Sequence, residues 1–345
     1  MKTALSNRIA PLALLASLAS LSACERAFDV STGLDANSSG GAASKLPSGP
    51  VPGLQLAVEP TLDHVADDDV QIINNTDPGS ASTASNSADS SGGSGAVATN
   101  PSLPSDIKSG VCPGALNPGL FQLGGRTLRV SGSATLKANI MLGPNAAGRL
   151  SGSVILQSLV KDPSASWLTE GNVIVSKSRT ADVSVNAQAG AAASSTAAAL
   201  APTHASMDLA PATDSNVLHI VGNGGLNVIQ VSNIDLQGSN SLTLTGGAND
   251  TFVFNVSGRF RVGGSFALNL EGGIKPGSVL FNVIGDGQDV LVTGSSSLRG
   301  TILAPRRSVT LEGSSLLQGA IVAGGDINLQ GSVGAFKQAT LCDTK

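Results

Sequence analysis

The chain has 345 residues, including 42 glycines, eight phenylalanines, one tryptophan and no tyrosine, and only 13% of it is charged. So few aromatics exclude a core of large side chains and favour a narrow interior of Val, Leu, Ile and Ala. The low charge, net −4, excludes the basic patch that nucleic-acid binding requires.

The N-terminus combines Lys2 and Arg8 with an apolar run from Ile9 to Leu21, the length of a signal peptide and too short for a membrane span. The run ends in Leu21-Ser22-Ala23-Cys24, which resembles the bacterial lipobox. The resemblance implies that residues 1–23 are a lipoprotein signal peptide. Cys24 is then the first mature residue, carrying a diacylglycerol and a palmitate-type chain, so that the lipid bilayer is a partner. An ordinary secretory leader with an incidental cysteine is the alternative. Glu25 stands where an aspartate would favour inner-membrane retention, so the expected location is the outer membrane, lipid-anchored, on its periplasmic face or exposed at the cell surface.

Residues 24–110 read as a lipid-anchored disordered linker of Ser, Gly, Ala, Asn, Pro and Asp, without the apolar surface to offset ordering. From residue 25 it holds eleven acids and three bases, whereas residues 111–345 hold thirteen acids and fifteen bases. The triplet Asp67-Asp68-Asp69 has no ligand loop around it and reads as solvated spacer rather than a calcium site. The apolar island from Val51 to Val58 is a candidate docked strand. A linker of this length holds the following domain on the order of 50 Å from its anchor.

From Val111 short alternating runs recur, each closed by Gly-Ser or Gly-Gly. They include Thr127 to Val130, Val154 to Leu159, Leu218 to Val221 and Thr251 to Val256. Ala187 to Leu200 is Ala-rich, stops before Pro202 and is the one predicted helix. Cys112 and Cys342 bracket this region, and an even pair in an exported chain suggests a disulfide, with two free thiols as the alternative. Cofactor binding and metal binding are not expected: His64, His204 and His219 lack ligand spacing.

The C-terminal part repeats. Gly294 to Ala304 (GSSSLRGTILA) aligns with Gly313 to Ala323 (GSSLLQGAIVA) at a spacing of 19, and a third copy begins at Asp326. Such a period, with short strands and glycine corners, suits one coil of a β-solenoid, although plain hairpins in a sandwich remain the alternative. In a solenoid, Leu298 and Leu317 form one inward ladder and Ile302 and Ile321 a second. Leu303 and Val322 then point the other way, and Ser296, Arg299, Ser315 and Gln318 lie outside.

The strand from Thr251 to Val256 (TFVFNV), Val279 to Val283 (VLFNV), Gly300 to Pro305 (GTILAP), Gly319 to Gly324 (GAIVAG) and Phe336 together resemble the choice-of-anchor A domain of bacterial surface proteins. They also resemble the bacterial ice-binding β-solenoids. The resemblance implies an all-β fold, a right-handed β-solenoid (β-helix) with one flanking α-helix over residues 111–345, and an adhesive role without enzymatic activity. Expected partners are a polysaccharide, a cell surface or ice. An ice-binding function is the first alternative and a polysaccharide-acting β-helix enzyme the second.

Candidates for chemistry are sparse. No nucleophile elbow occurs. His204, Ser206 and Asp208 lie too close in sequence to converge as a triad, and read as a turn. Asp235, Asp250, Asp286 and Asp289 are candidates for an acidic face; Gly285 to Asp289 reads first as a corner between strands, with calcium at Asp286 and Asp289 as the alternative. Thr243 and Thr245 form the only clean Thr-x-Thr of the repeating region, against an ice face. Arg259, Arg261, Arg306 and Arg307 predict a basic edge.

Overall fold

The structure, a computed structural model, describes residues 71–73, 102–113, 117–211, 213, 215–331 and 336–338. These lie in one compact unit, residues 63–345. Two helices, α1 (Ser105–Val111) and α2 (Ser184–Ala198), accompany a continuous sheet in which every pairing is parallel. The sheet winds into a β-solenoid with three faces.

The first face stacks β7 (Met207–Leu209), the end of β9 (Leu226–Leu236), β12 (Phe260–Val262), β15 (Val290–Val292), β17 (Val309–Leu311), β19 (Ile327–Gly331) and the starts of β3 (Thr127–Leu142), β4 (Ala147–Lys161) and β5 (Ser166–Val175). The second stacks β1 (Gln71–Ile73), β8 (Val217–Val221), β10 (Ser241–Thr245), β13 (Ala267–Glu271), the starts of β16 (Ser297–Ala304) and β18 (Leu316–Ala323), then β20 (Phe336–Gln338) and later parts of β3, β4 and β5. The third stacks the start of β9, β11 (Thr251–Val256), β14 (Val279–Val283), the ends of β16 and β18, β2 (Leu120–Gln122), the ends of β3 and β4, and β6 (Ser178–Thr180).

Spatial order therefore departs from chain order. Residues 120–180 coil first, α2 runs along the third face, and residues 207–338 coil back until β18, β19 and β20 meet β2 and β3. The 19-residue repeat is the step between neighbouring coils: Leu298 lies beside Leu317, Ile302 beside Ile321 and Leu303 beside Val322. Leu298, Leu317, Ile302 and Ile321 fill the interior, while Leu303 and Val322 join a second cluster with Phe121, Met141 and the helices. The sequence expectation for these ladders holds. Two positions differ from it: Ser296 and Ser315 are fully buried, because each sits at the corner that turns the chain inward, and Ser296 Oγ donates to Thr293 O at 2.7 Å.

Helix α2 begins three residues before the expected stretch, and α1 is a second helix in residues read as linker. The buried positions of α2 are Ala187, Gly190, Ala193, Ser194 and Ala197. This small-residue stripe lets the helix lie close to the sheet: a Cβ at Gly190 would press on Leu123. The helix C-terminus leaves carbonyls without intrahelical donors. Asn255 Nδ2 donates to Ala197 O at 2.9 Å, Asn282 Nδ2 donates to Ser194 O at 3.0 Å, and Ser194 Oγ donates to Asn282 Oδ1 at 2.6 Å. Neighbouring coils thus use the same strand position to pin one helix end.

Candidate binding surface

Helix α2 covers the third face, so the outward rows of the first and second faces are the broad surfaces available to a partner. On the first face one row runs Asp235, Arg261, Leu291, Thr310, Asn328, Arg129, Arg149 and Leu168 in register. On the second, His219, Thr243 and Asn269 share a row, and Arg299 pairs with Gln318. Neither face repeats threonine from coil to coil. Thr243 is only 3% exposed, which removes it from a surface array.

The expected basic edge is reorganised. Arg259 Nη1 donates to Asp235 Oδ2 at 2.6 Å and Arg306 Nη1 to Asp286 Oδ2 at 3.4 Å, leaving both cations paired. Arg307 is not at an edge at all. It is buried, and its guanidinium donates to five backbone carbonyls: Ser257, Gly258, Ile284, Gly285 and Gln288. Burial pushes its pKa down, with Asp286 and Asp289 opposing. This side chain fastens the loop 284–289 to the preceding coil. Among the exposed cations that sequence reasoning missed, Arg129 and Arg149 stand side by side where β3 and β4 pair. Arg129 and Arg149 have no ion-pair partner among the described residues and flank a groove with Ser151, Leu168 and Glu170. Their 20-residue separation is visible in sequence, but only the strand register makes them neighbours.

The four acidic candidates do not converge on one site: Asp286 and Asp289 line a groove with Arg126, Arg306 and Asp326, and Asp235 and Asp250 lie elsewhere. Asp235 serves Arg259 and Asp286 serves Arg306. Asp289 Oδ1 accepts from Ser308 N at 3.2 Å. Asp250 is buried at a corner, accepting from Gly224 N, Gly225 N, Asn227 Nδ2 and Gly247 N. Among the described residues no group of three or more His, Cys, Asp and Glu lies together as a metal site would need. His204 contacts Thr203 Oγ1 and Val221 O, whereas Asp208 accepts from Asn233 Nδ2, so the two are turned to different partners.

A family model described as "Putative Ice-binding-like adhesive domain" matches residues 27–334. The chain belongs to this family. An ice-binding protein of Flammulina populicola is 34% identical over 86 residues, which are 24% of this chain and 34% of that protein. The chain thus spans about a third of that relative's length. Among solved structures, the ice-binding protein of the Antarctic ascomycete Antarctomyces psychrotrophicus is similar with a TM-score of 0.44 and 17% identity, over 68% of this chain and 96% of that one. Ice-binding protein 1 of Shewanella frigidimarina gives 0.44 and 14%, over 70% and 98%.

Cys24 and Cys342 lie outside the described residues, as do Val51 to Val58 and Asp67 to Asp69. Cys112 is buried at the C-terminal end of α1, and its side chain is not free.

Proposed function

We propose that this ice-binding-like adhesive domain is a non-enzymatic adhesion module, exported and held at the outer membrane by a lipid on Cys24. The observation that carries the adhesive reading over ice is the mixed outward row of the first face, where Arg129 and Arg149 stand side by side and make no ion pair among the described residues. Adjacent like charges on neighbouring strands destabilise a sheet, and an anionic polysaccharide or cell surface would relieve them. The lipobox at Leu21 to Cys24 supports the anchor. A disulfide between Cys112 and Cys342 is part of this reading, since β20 brings the chain back onto β3 and β18 four residues before Cys342.

Binding of the full chain to acidic polysaccharides and whole cells, beside thermal hysteresis, tests the function. Saturable, salt-sensitive binding that drops several-fold in R129S/R149S supports adhesion. Strong hysteresis without surface binding would transfer the reading to ice. Fatty-acid labelling tests the anchor: Cys24→Ser should lose the label, and equal label in variant and parent ends that part. Mass mapping of unreduced peptides should find Cys112 joined to Cys342.

A further inference from the structure

We infer that the edge of β5 is a two-fold self-association surface through which a second copy of this chain docks, end to end. Strand β5 is the terminal strand of both the first and the second faces: it pairs with β4 alone, and its other edge has no partner among the described residues. At the opposite end of the second face, β1 from outside the coils already pairs with β8. The β5 edge is ten residues long and lacks the proline, lysine or bulge that usually blunts such an edge. It is also apolar. Leu168 and Ile174 are each 50% exposed, and Trp167, Val173 and Val175 are only partly buried against the interior cluster.

The sequence of β5 is self-complementary about Gly171. This glycine, at φ 86°, is the corner where the strand passes from the first face to the second. The register with β4 places Trp167, Thr169, Val173 and Val175 beside Gly148, Leu150, Val154 and Leu156, on the interior side. Leu168, Glu170, Asn172 and Ile174 lie beside Arg149, Ser151, Ser153 and Ile155, facing outward. A two-fold axis through Gly171, perpendicular to the stacking direction, sets the first-face half of one copy antiparallel to the second-face half of its partner. Leu168 then meets Ile174 of the second copy, Trp167 meets Val175, Thr169 meets Val173 and Glu170 meets Asn172. Interior residues meet interior residues, outward residues meet outward residues, and the charge match is favourable: neither Glu170 faces another carboxylate. Both apolar contacts occur twice, as an isologous interface requires. The unpaired backbone groups of the edge gain partners, as in strand addition between chains.

Sedimentation velocity of the full chain carrying Cys24→Ser, which removes clustering through lipid, tests this over a concentration series. A closed dimer is expected for the parent. L168K and I174E should each weaken association at least tenfold, because each places a charge against an apolar partner at two sites. L168K/I174E should restore the dimer, because the introduced opposite charges face each other across the axis. Both positions are exposed, and circular dichroism of each variant checks its fold. A parent that stays monomeric at every concentration, open-ended filaments, a dimer indifferent to L168K, or failure of the double variant to recover would each overturn the proposal.

Discussion

Leu317 lies beside Leu298 of the neighbouring coil and is fully buried in the interior cluster. Removing its isobutyl group leaves a void that close-packed strands cannot collapse around, so Leu317→Ala should cost about 2–5 kcal/mol, read as a lowered urea midpoint. Arg307 predicts a different failure. Arg307→Met keeps the stem but leaves five carbonyls without their donor, and each unsatisfied buried acceptor costs about 1–3 kcal/mol. The variant should lose about 3 kcal/mol or more, and exchange of the amides around 284–289 should rise before global unfolding. Gly148 faces the ring of Trp167, where a Cβ would overlap it. Gly148→Ala should displace the only tryptophan of the chain and shift its emission to longer wavelength.

At the scale of elements, much was legible where one repeat carries one strand. The run from Thr251 to Val256 is β11 to the residue, and Val279 to Val283 is β14. They are near-continuous apolar runs, buried on both sides between the interior and the helix, and glycine or a polar turn lies close to their ends. Helix α1 escaped because it is only seven residues long, holds Gly110, and offers the single apolar pair Ile107 and Val111 at helical spacing; it packs closely on α2, where a Cβ at Gly110 would strike the backbone of Ala189. The start of α2 was hidden for a related reason: Ser184, Val185 and Asn186 are mediocre helix formers, and the turn is held from outside. Asp162 does part of this. It accepts from Ser164 Oγ at 2.6 Å, Ser164 N at 3.0 Å and Val183 N at 3.3 Å, just ahead of the helix. The bonds from Ser164, then that from Val183, with Lys161 adding attraction, hold its pKa below the ordinary 3.8 despite desolvation. A carboxylate with a depressed folded pKa stabilises the fold above its unfolded value, and that contribution is lost as pH falls through the folded one. The melting temperature should therefore decline on acidification below 3.8, and Asp162→Asn should flatten that decline while lowering stability at neutral pH.

Over the whole molecule, the stacking of residues 120–180 beyond residue 338 was not legible, because no local pattern records which coil ends meet. That arrangement decides the character of the exposed surface. It brings Arg129 and Arg149 into the row of Thr310 and Asn328, so the row changes chemistry at almost every coil. An ice-ordering face needs the same small hydroxyl-bearing side chain at a fixed step over a flat area. Here Thr310 stands between Leu291 and Asn328, and Thr243, between His219 and Asn269, is buried. Thermal hysteresis of the full chain should accordingly stay near that of an inert protein at equal molarity. Adhesion should instead follow the cations. Exposed charges are screened over about 10 Å at 0.1 M salt, so retention on an acidic polysaccharide should weaken steeply as salt is raised. R129S/R149S should lose that salt dependence, whereas R259S, which removes a cation already paired with Asp235, should leave it nearly unchanged. Equal salt curves for the two variants would place the contact elsewhere on the solenoid.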